Sequence, residues 1–506
     1  MFRSSALKRL GYSTAALAAL LAMAAQPAFA QEENGDRGGD SVLQVDDVRA
    51  LARQLGVSLD DTRPEEQYET SAFGRPLIIG GELEAAGQWR DNLDLTGEDG
   101  VGKLTPEAQL EFLYLFSDRM IAFAEVKAFV DSEVWTETGD RESDAGLDLR
   151  EAWVLAPRLF GSDFSLQVGR QQYQDRREWW WNENLDSVRL HYVQGRFTAF
   201  LGLAEAQIRT STLEDISPED EDVVRVLGNA AYTWTRHDRL EAFLLSQQDQ
   251  SGAPALGSVL DEDDEDAADS DLTWLGLRAR TRQSIGDAGK VFLSGDLAVV
   301  DGDETVTEFV DFAPGQIQAV NRFSQEVSGW GADVSLSWEL PIDLEPVASI
   351  AFAYGSGDDT PADASDDSFR QSGLQGDNGK FRGISRFRYY GETLRPELSN
   401  LRVLTLSLGS PAPAPAPVEG EAWIEAVFHN YAQAEASTEF RSERLDVDPN
   451  GVDEHLGDAL DVIYSFESGR RWEFEATLGG FRYGDAFGVD RGEWAYSASF
   501  KLDYNF

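Results

Sequence analysis

The chain has 506 residues, no cysteine, and 91 acidic against 43 basic side chains, which gives a formal net charge of -48. This acidic excess argues against a nucleic-acid-binding protein, because phosphate binding needs a basic face. The lack of cysteine excludes disulfides, thiol catalysis and thiolate metal sites. Glycine (46 residues) and aromatic residues (11%) are abundant, which is typical of a β-rich chain with many turns.

The first thirty residues have the parts of a secretory signal peptide. A basic start is followed by the apolar run 15–23 and then by Ala28-Phe29-Ala30, with small residues at the two positions that a signal peptidase reads. We therefore expect residues 1–30 to be removed, in a Gram-negative bacterium. No later apolar run is long enough for a membrane helix, so membrane insertion would require a β-barrel.

Residues 31–73 are polar and acidic and predict a mostly flexible periplasmic lead-in. Within this lead-in, apolar residues recur at helical spacing over residues 45–55. This spacing predicts one short amphipathic helix.

Residues 74–506 alternate between apolar and polar side chains, and the last segment is the clearest. From Trp494 to Phe506 every second residue is apolar, with aromatic residues at both ends. A transmembrane β-strand has this pattern, with one face toward lipid and the other toward a polar lumen. The terminal Phe506 also resembles the signal read by the barrel assembly machinery.

About eighteen segments show this alternation. They lie at residues 75–92, 105–117, 119–135, 147–157, 163–173, 185–194, 196–208, 223–235, 238–249, 272–284, 288–302, 327–340, 345–356, 399–409, 420–432, 457–467, 471–484 and 492–506. Short connections alternate with long ones, the latter at residues 136–146, 174–184, 209–222, 250–271, 303–326, 357–398 and 433–456. The prediction is an all-β fold, an antiparallel outer-membrane barrel with short periplasmic turns and long extracellular loops.

Two segments interrupt the pattern. The Ala-Pro repeat at 410–419 is expected to be a long periplasmic turn rather than an interdomain linker, because the three strands after it would make a poor domain. Residues 380–391 are assigned to the loop 357–398, which keeps the strand number even.

The alternation directs several basic side chains from the middle strands into the lumen, while the first and last strands direct acids inward. The candidate lumen cations include Arg150, Arg189, Arg278, Arg280 and Arg282. The last three form a stripe that suits the carboxylates of an acidic sugar. The alternative is ordinary decoration of a polar wall by paired charges.

The acidic run 261–266 is expected to be solvated, and the acidic loops are candidates for binding Ca²⁺ or bridging to lipopolysaccharide. The opening of a calcium loop at 446–451 fails, because Gly457 stands where a bidentate Glu is needed. Catalytic and nucleotide-binding motifs are absent, and the four histidines are far apart. We therefore predict no enzyme, no metal site and no cofactor.

Two long segments, 168–189 and 390–401, resemble the signature regions of the alginate export porin family, and the resemblance covers residues 75–506. It implies an eighteen-stranded barrel that lets an anionic exopolysaccharide leave the cell by diffusion. An arginine-rich constriction, loops folded into the pore and a periplasmic scaffold lipoprotein are also implied. Carried over by motif, the residues for polymer contact or loop anchoring are Arg170, Arg176, Arg177, Arg189 and Arg395.

Two details of the first segment stay open. Arg170 is two residues from Val168, so both side chains fall on the same face of the strand. This face points toward lipid unless there is a bulge near Gly169 or Arg170 lies above the bilayer. The run Trp179, Trp180 and Trp181 forms either part of an aromatic girdle or a packing and stacking platform on a loop in the pore.

The leading hypothesis is passive export of an alginate-like polyuronate. The alternatives are a general or sugar-selective uptake porin and a surface adhesion or cation-binding protein. The net charge of -48 would repel a polyanion at long range, so the lumen must differ locally from the whole.

Overall fold

The computed structural model describes residues 67–97, 99–117, 119–139, 141–213, 216–360, 364–380, 384–415, 418–469 and 471–506. The predicted signal peptide and the predicted helix at 45–55 lie outside these residues. Within the described ranges, no helix has the length and apolar character needed to cross a membrane.

The predicted eighteen-stranded antiparallel barrel is confirmed. Its strands are β1 (Arg75–Asp91), β2 (Val101–Ser117), β3 (Met120–Thr136), β4 (Ser143–Ala156), β5 (Phe164–Gln174), β6 (Asn182–Gln194), β7 (Phe197–Glu205), β8 (Val223–Thr233), β9 (Arg239–Asp249), β10 (Ala268–Ser284), β11 (Lys290–Ala313), β12 (Gln316–Glu339), β13 (Val347–Gly355), β14 (Leu401–Ala412), β15 (Glu421–Gln433), β16 (His455–Ser468), β17 (Trp472–Tyr483) and β18 (Trp494–Asn505). The barrel closes where β1 pairs with β18, from Glu82 opposite Asn505 to Asp91 opposite Tyr496.

The period of two explains why these segments are strands. On β18, Tyr496 and Leu502 are 45% and 38% exposed on the outer face, whereas Ser497 and Asp503 are buried on the lumen face. Successive side chains of a strand point to opposite faces, so this sequence satisfies lipid on one side and a polar interior on the other.

The hairpin β11–β12 corrects the sequence-based boundaries. Residues 303–326 were expected to form a loop, but both strands continue to Ala313 and Gln316 and are joined through Gly315 at φ +71. The segment 304–310 is rich in β-branched residues, which favour strands, and it continues the ladder between β11 and β12.

Three smaller features refine the boundaries. Tyr68–Ala72, expected to be part of the lead-in, forms a short strand that pairs with β1. β14 runs on through Pro411, opposite Trp423, which shortens the expected Ala-Pro turn. Within 380–391, Phe387–Arg388 pairs only with Asn378–Gly379 in a small hairpin apart from the barrel sheet.

The barrel is filled by its own loops. We call residues 175–181 the tryptophan loop, residues 356–400 the lumen loop and residues 434–454 the capping loop. Their buried apolar side chains join wall residues of the lumen in one core, which includes Trp180, Phe369, Leu394 and Leu445. The open space inside the barrel is therefore whatever these loops leave.

Gly169 of β5 provides a test of the wall. It has φ +126, and an added Cβ would lie 2.2 Å from the carbonyl oxygen of Ala152 on β4. We expect Gly169→Ala to destabilise the folded barrel by roughly 1–3 kcal/mol, the usual cost of a residue held in such a conformation. The readout is the temperature at which the folded electrophoretic form is lost.

Gly228→Ala is the matched control, because its Cβ would meet Leu201 Cδ1 at an ordinary 3.6 Å. Equal melting temperatures for the two variants would contradict the assigned strain.

Candidate substrate path in the lumen

The tryptophan loop turns into the barrel around Asp175. The carboxylate of Asp175 accepts hydrogen bonds from the backbone N–H groups of Arg177 at 2.9 Å and Trp180 at 2.7 Å. The Trp180 ring stacks on Phe243 of β9, with centroids 4.8 Å apart. Gly276 of β10 makes room for the indole, since a Cβ there would lie 2.1 Å from Trp180 Cζ2. The three tryptophans are thus buried in the lumen, away from the lipid interface.

A buried network of arginines and aspartates fixes this loop to the wall. Arg177 bridges Asp296 of β11 at 2.9 Å and Asp333 of β12 at 2.8 Å. Arg278 of β10 pairs with Asp296 at 2.6 Å and also with Asp175. All five side chains are at most 9% exposed. Removing one partner from such a network leaves an uncompensated buried charge, which typically costs about 3–5 kcal/mol.

The lumen loop packs on the tryptophan loop. Ser372 Oγ donates to the carbonyl of Trp180 at 2.6 Å, and Trp179 Nε1 donates to Tyr390 Oη at 2.7 Å. Tyr390 in turn donates to Asp333 at 2.9 Å, so one carboxylate holds both loops. Phe369 fits where Gly331 of β12 provides space, because an added Cβ would lie 2.5 Å from its ring.

The capping loop fastens the outer end of the lumen loop through a cluster of arginines and glutamates. Arg395 pairs with Glu443 at 2.9 Å and also with Glu392, and Arg444 lies 3.4 Å from Glu392. Burial of Glu443 raises the pKa of its carboxyl, but the neighbouring Arg395 guanidinium outweighs this effect, and the pKa of Glu443 is lowered. Burial, and then the neighbouring Arg395, lower the pKa of Arg444 to about 10. The arginines are therefore crowded, and the glutamates hold them in place.

Two adjoining cavities border the part of the lumen loop that carries Arg388 and Arg395. The inner one, of about 360 Å³, lies between this loop and the wall of β1, β2, β17 and β18. The outer one, of about 250 Å³, lies between the lumen loop and the capping loop. Arg388 and Arg395 line both cavities, and Arg386 and Lys501 line the inner one. Carboxylates line the same cavities, namely Glu84, Glu107, Glu392 and Glu475 in the inner one and Asp377, Glu397 and Glu443 in the outer one. Positive side chains thus border the open space at successive depths, beside an equal or larger number of acids.

Several of the candidate cations lie elsewhere. Arg278 was expected to line the constriction, but it is 3% exposed and its charge is used within the aspartate network. Arg177 is an anchor in the same network. Arg189 is covered by the rings of Tyr173 and Phe200, whose centroids lie 4.3 and 4.1 Å from its guanidinium carbon. The spacing of residues gives the face of a strand but not the partner that covers a side chain.

The remaining candidates are more accessible. Arg176 is exposed at the turn of the tryptophan loop. Arg280 is partly exposed and is repelled by the like charge of Arg176. Arg282 is partly exposed beside Phe292, 5.0 Å from the ring centroid. Arg150 is partly exposed at the irregularity in the β3–β4 ladder, where the register shifts.

Arg170 follows the alternation without a bulge. The β5–β6 register is continuous and places Arg170 opposite Asp186, 3.7 Å from its carboxylate. Asp186 also accepts backbone hydrogen bonds from Gln207 and Ile208 after β7. Arg170 therefore shares the outer face of Val168 near the extracellular end of the strand, with its charge balanced there.

Sequence reasoning missed Arg386, Arg388 and Arg444. A signal was available, because Lys380, Arg386 and Arg388 concentrate positive charge in a loop of a strongly acidic chain. Their role was not apparent because the alternation of side chains between two faces applies to strands. It does not predict where the side chains of an inward-folded loop point.

Two groups of carboxylates could hold a cation among the described residues. Glu82, Glu84 and Asp503 lie on the lumen face, and Asp249, Asp266 and Asp269 lie where the loop between β9 and β10 begins and ends. In each group the ligand atoms lie within 4.8 Å of one another. The acidic run beside the second group is largely exposed, as expected.

Comparison with known proteins identifies the family. The profile of the alginate export family matches residues 75–498. The chain belongs to the alginate export family. This is a transport family rather than an enzyme family, and the barrel is a protein of the bacterial outer membrane.

Three relatives carry the name alginate production protein AlgE. The proteins of Pseudomonas aeruginosa, Pseudomonas syringae pv. tomato and Azotobacter vinelandii are 25%, 26% and 25% identical over 348, 245 and 246 residues. These matches cover 65%, 48% and 47% of this alginate export family chain. They span 66%, 47% and 49% of the relatives, so the chain matches from just under half to about two thirds of their length.

A solved structure shows the same fold. Pseudomonas aeruginosa OccK8 (OprE) is 11% identical, with a TM-score of 0.50 over 85% of this chain and 98% of that one. At this identity the likeness concerns the barrel fold alone.

The aspartate network predicts a local effect at the tryptophan loop. Arg177→Met should leave Asp296 and Asp333 without this partner, loosen the loop and expose Trp179, Trp180 and Trp181 to chymotrypsin, at a cost of about 3–5 kcal/mol. Arg176→Met is the control, since this neighbouring arginine is exposed and lies outside the network. Identical cleavage of the two folded variants would show that the network does not hold the loop.

Proposed function

We propose that this barrel is an outer-membrane pore through which an anionic exopolysaccharide, an alginate-like polyuronate, leaves the cell by diffusion. The observation that carries the proposal is the position of Arg386, Arg388 and Arg395 along the open cavities of the lumen. A guanidinium group presents a planar fork of donors that matches a carboxylate and stays charged at all physiological pH values.

The net charge of -48 does not oppose this proposal. Fields from exposed loop carboxylates are largely screened beyond about 8 Å at physiological ionic strength. A uronate inside the cavities meets Arg386, Arg388 and Arg395 at contact distance, among carboxylates that line the same cavities, and these near charges outweigh the screened charges of distant loops. The acidic run 261–266, by contrast, lies in an exposed loop outside the cavities.

The same arginines are partly paired within the protein, and this keeps the polymer mobile. Arg386 pairs with Glu178, and Arg388 lies 3.9 Å from Glu443. A polymer carboxylate would exchange with these glutamates instead of binding an empty cationic site. Conduction requires many weak sites rather than one tight site, and partial internal pairing provides them.

Arg176, Arg280 and Arg282 supply further contacts before the polymer reaches the inner cavity. They lie on or below the tryptophan loop and keep partly exposed side chains. Arg170, Arg177 and Arg189, candidates for polymer contact or loop anchoring, and Arg278, a candidate for the constriction, then act by holding the wall and the loops. We infer that the chain works without catalysis and without a cofactor, and that calcium, lipopolysaccharide and a periplasmic scaffold lipoprotein act on its surfaces.

The test is to reverse the charge of Arg386 and Arg388 together, with Glu at both positions. Block of the pore by oligouronate in planar bilayers should weaken by about tenfold or more, because a hydrogen bond between charged groups contributes roughly 1.5–3 kcal/mol. The ion preference should also shift toward cations.

Arg491→Glu is the control, since Arg491 is 67% exposed in its side chain and lies in the loop before β18. A neutral oligosaccharide of equal length serves as a second control for steric block. Unchanged oligouronate block in the double variant, or equal block by the neutral sugar, would contradict the proposed path.

A further inference from the structure

The wall where β1 meets β18 concentrates acidic side chains on the lumen face. Glu82 and Glu84 of β1 and Asp503 of β18 have carboxylate oxygens within 4.8 Å of one another, and we call these three residues the seam carboxylates. The register places Glu84 directly opposite Asp503, and it places Glu473 of β17 opposite Asp503 on the other side. Like charges directly opposite each other destabilise a sheet, so this arrangement needs positive charge among the carboxylates.

Lys501 of β18 supplies part of that positive charge. Its Nζ lies 2.8 Å from Glu84 and 3.3 Å from Asp503, and it also interacts electrostatically with Glu82. One ammonium group balances one of the two charges that Glu84 and Asp503 bring together. The side chain of Lys501 is 49% exposed and sits on a flexible stem, so it can move into the lumen and leave its place to another cation.

A buried amide beside the seam carboxylates has an acceptor without a donor. Asn505 of β18 is 1% exposed, and its Oδ1 accepts no hydrogen bond within the described part of the chain. The same holds for Oδ1 of Asp503, two residues away on the same face and 7% exposed. Buried acceptors are normally paired, so two unpaired oxygens side by side indicate that a positive ligand belongs there.

The pairing of β1 with β18 directs the Asn505 amide at this group. Gly81 and Phe506 exchange both of their backbone hydrogen bonds, each at 3.0 Å. The next pair along the seam, Glu82 and Asn505, is therefore a close pair without hydrogen bonds between its backbones, with Cβ atoms about 5 Å apart. The amide of Asn505 thus lies against Glu82 on one side and follows Asp503 along the strand.

These ligands match the chemistry of calcium. Ca²⁺ takes about six to eight oxygen ligands from carboxylates, amide carbonyls and waters, in a flexible geometry. The seam carboxylates and Asn505 provide four such side chains, and water can complete the shell. The four residues come from the first and last strands of the barrel, so they meet only when it closes. Motif spacing in the sequence could not show them for this reason.

The site opens into the inner cavity. Glu84 and Lys501 line this cavity at its periplasmic end, and Arg386 of the lumen loop lines it as well. A solute in the cavity can therefore reach a cation held by the seam carboxylates. Such a cation would also reduce the repulsion between this acidic wall and a polyanion.

We propose that Glu82, Glu84, Asp503 and Asn505 form a Ca²⁺ site at the periplasmic end of the inner cavity, and that the bound ion offers a coordination position to a carboxylate of the passing polymer. Lys501 leaves the seam carboxylates when the ion binds. The contact with the polymer rests on the proposed export of a polyuronate, whereas the ion site does not.

Calcium titration of the purified, folded, full-length barrel tests the site by calorimetry. The starting protein carries Asp266→Asn and Asp269→Asn, which remove the other group of carboxylates. An ionic strength of about 0.15 M screens the exposed loop acids. We expect one saturable site that Asn505→Ala weakens by about tenfold or more, because the number of ligands tunes calcium affinity over several orders of magnitude.

Asn184→Ala is the matched control, since Asn184 is also a buried wall asparagine whose Oδ1 accepts no hydrogen bond, but it lies outside both carboxylate groups. Neither substitution changes the net charge, so long-range attraction of Ca²⁺ stays the same. Only variants that keep the folded electrophoretic form are compared. Absence of a saturable site, or equal affinities of the Asn505→Ala and Asn184→Ala variants, would overturn the proposal.

Lys501→Met tests the competition between the ammonium group and the ion. Calcium binding should become severalfold tighter, because the cation that occupies the seam carboxylates is removed. Unchanged or weaker binding would show that Lys501 does not have to leave, and the proposed exchange would be wrong.

The polymer contact is tested by block of the pore by a short oligouronate in planar bilayers. At one fixed calcium concentration, Asn505→Ala should weaken the block relative to Asn184→Ala, and with a calcium chelator the two variants should be blocked equally. Calcium binding without this difference would overturn the polymer contact. Loss of block in the Arg386 and Arg388 double variant leaves calcium titration as an independent readout, so the ion site and the arginine path fail separately.

Discussion

The interior of this barrel depends on one buried charge network. Arg177 and Arg278 share the carboxylates of Asp175, Asp296 and Asp333, which come from one loop and two wall strands. Isolated charges at this depth would be very costly, and the pairing removes that cost only while every partner is in place. The tryptophan loop, and through it the lumen loop, therefore has a single defined position.

The fixed loops determine where charge is available to a substrate. Arginines inside the network are neutralised and act as structure, whereas Arg386, Arg388 and Arg395 pair with glutamates outside the network and border open space. An acidic chain can in this way present a cationic path. The acids serve as internal counter-charges and as exposed loop residues, and net charge describes neither the lumen nor its selectivity.

The strands were predictable from sequence because lipid and lumen impose a period of two, as in the terminal segment that became β18. The prediction failed at the upper part of the β11–β12 hairpin, where the ladder continues beyond the segments that show the alternation. Parity also gave Arg278 its correct face but not its partners, because Asp175 lies 103 residues away in the chain. Arg388 was missed because an inward-folded loop has no period to follow.

The most direct test of a cationic path inside an acidic barrel is the reversal potential of the wild-type pore across a potassium chloride gradient. The account predicts anion preference that weakens as ionic strength rises, because the arginines at the cavities are then screened. Cation preference at low ionic strength, which the net charge of -48 alone would suggest, would contradict it.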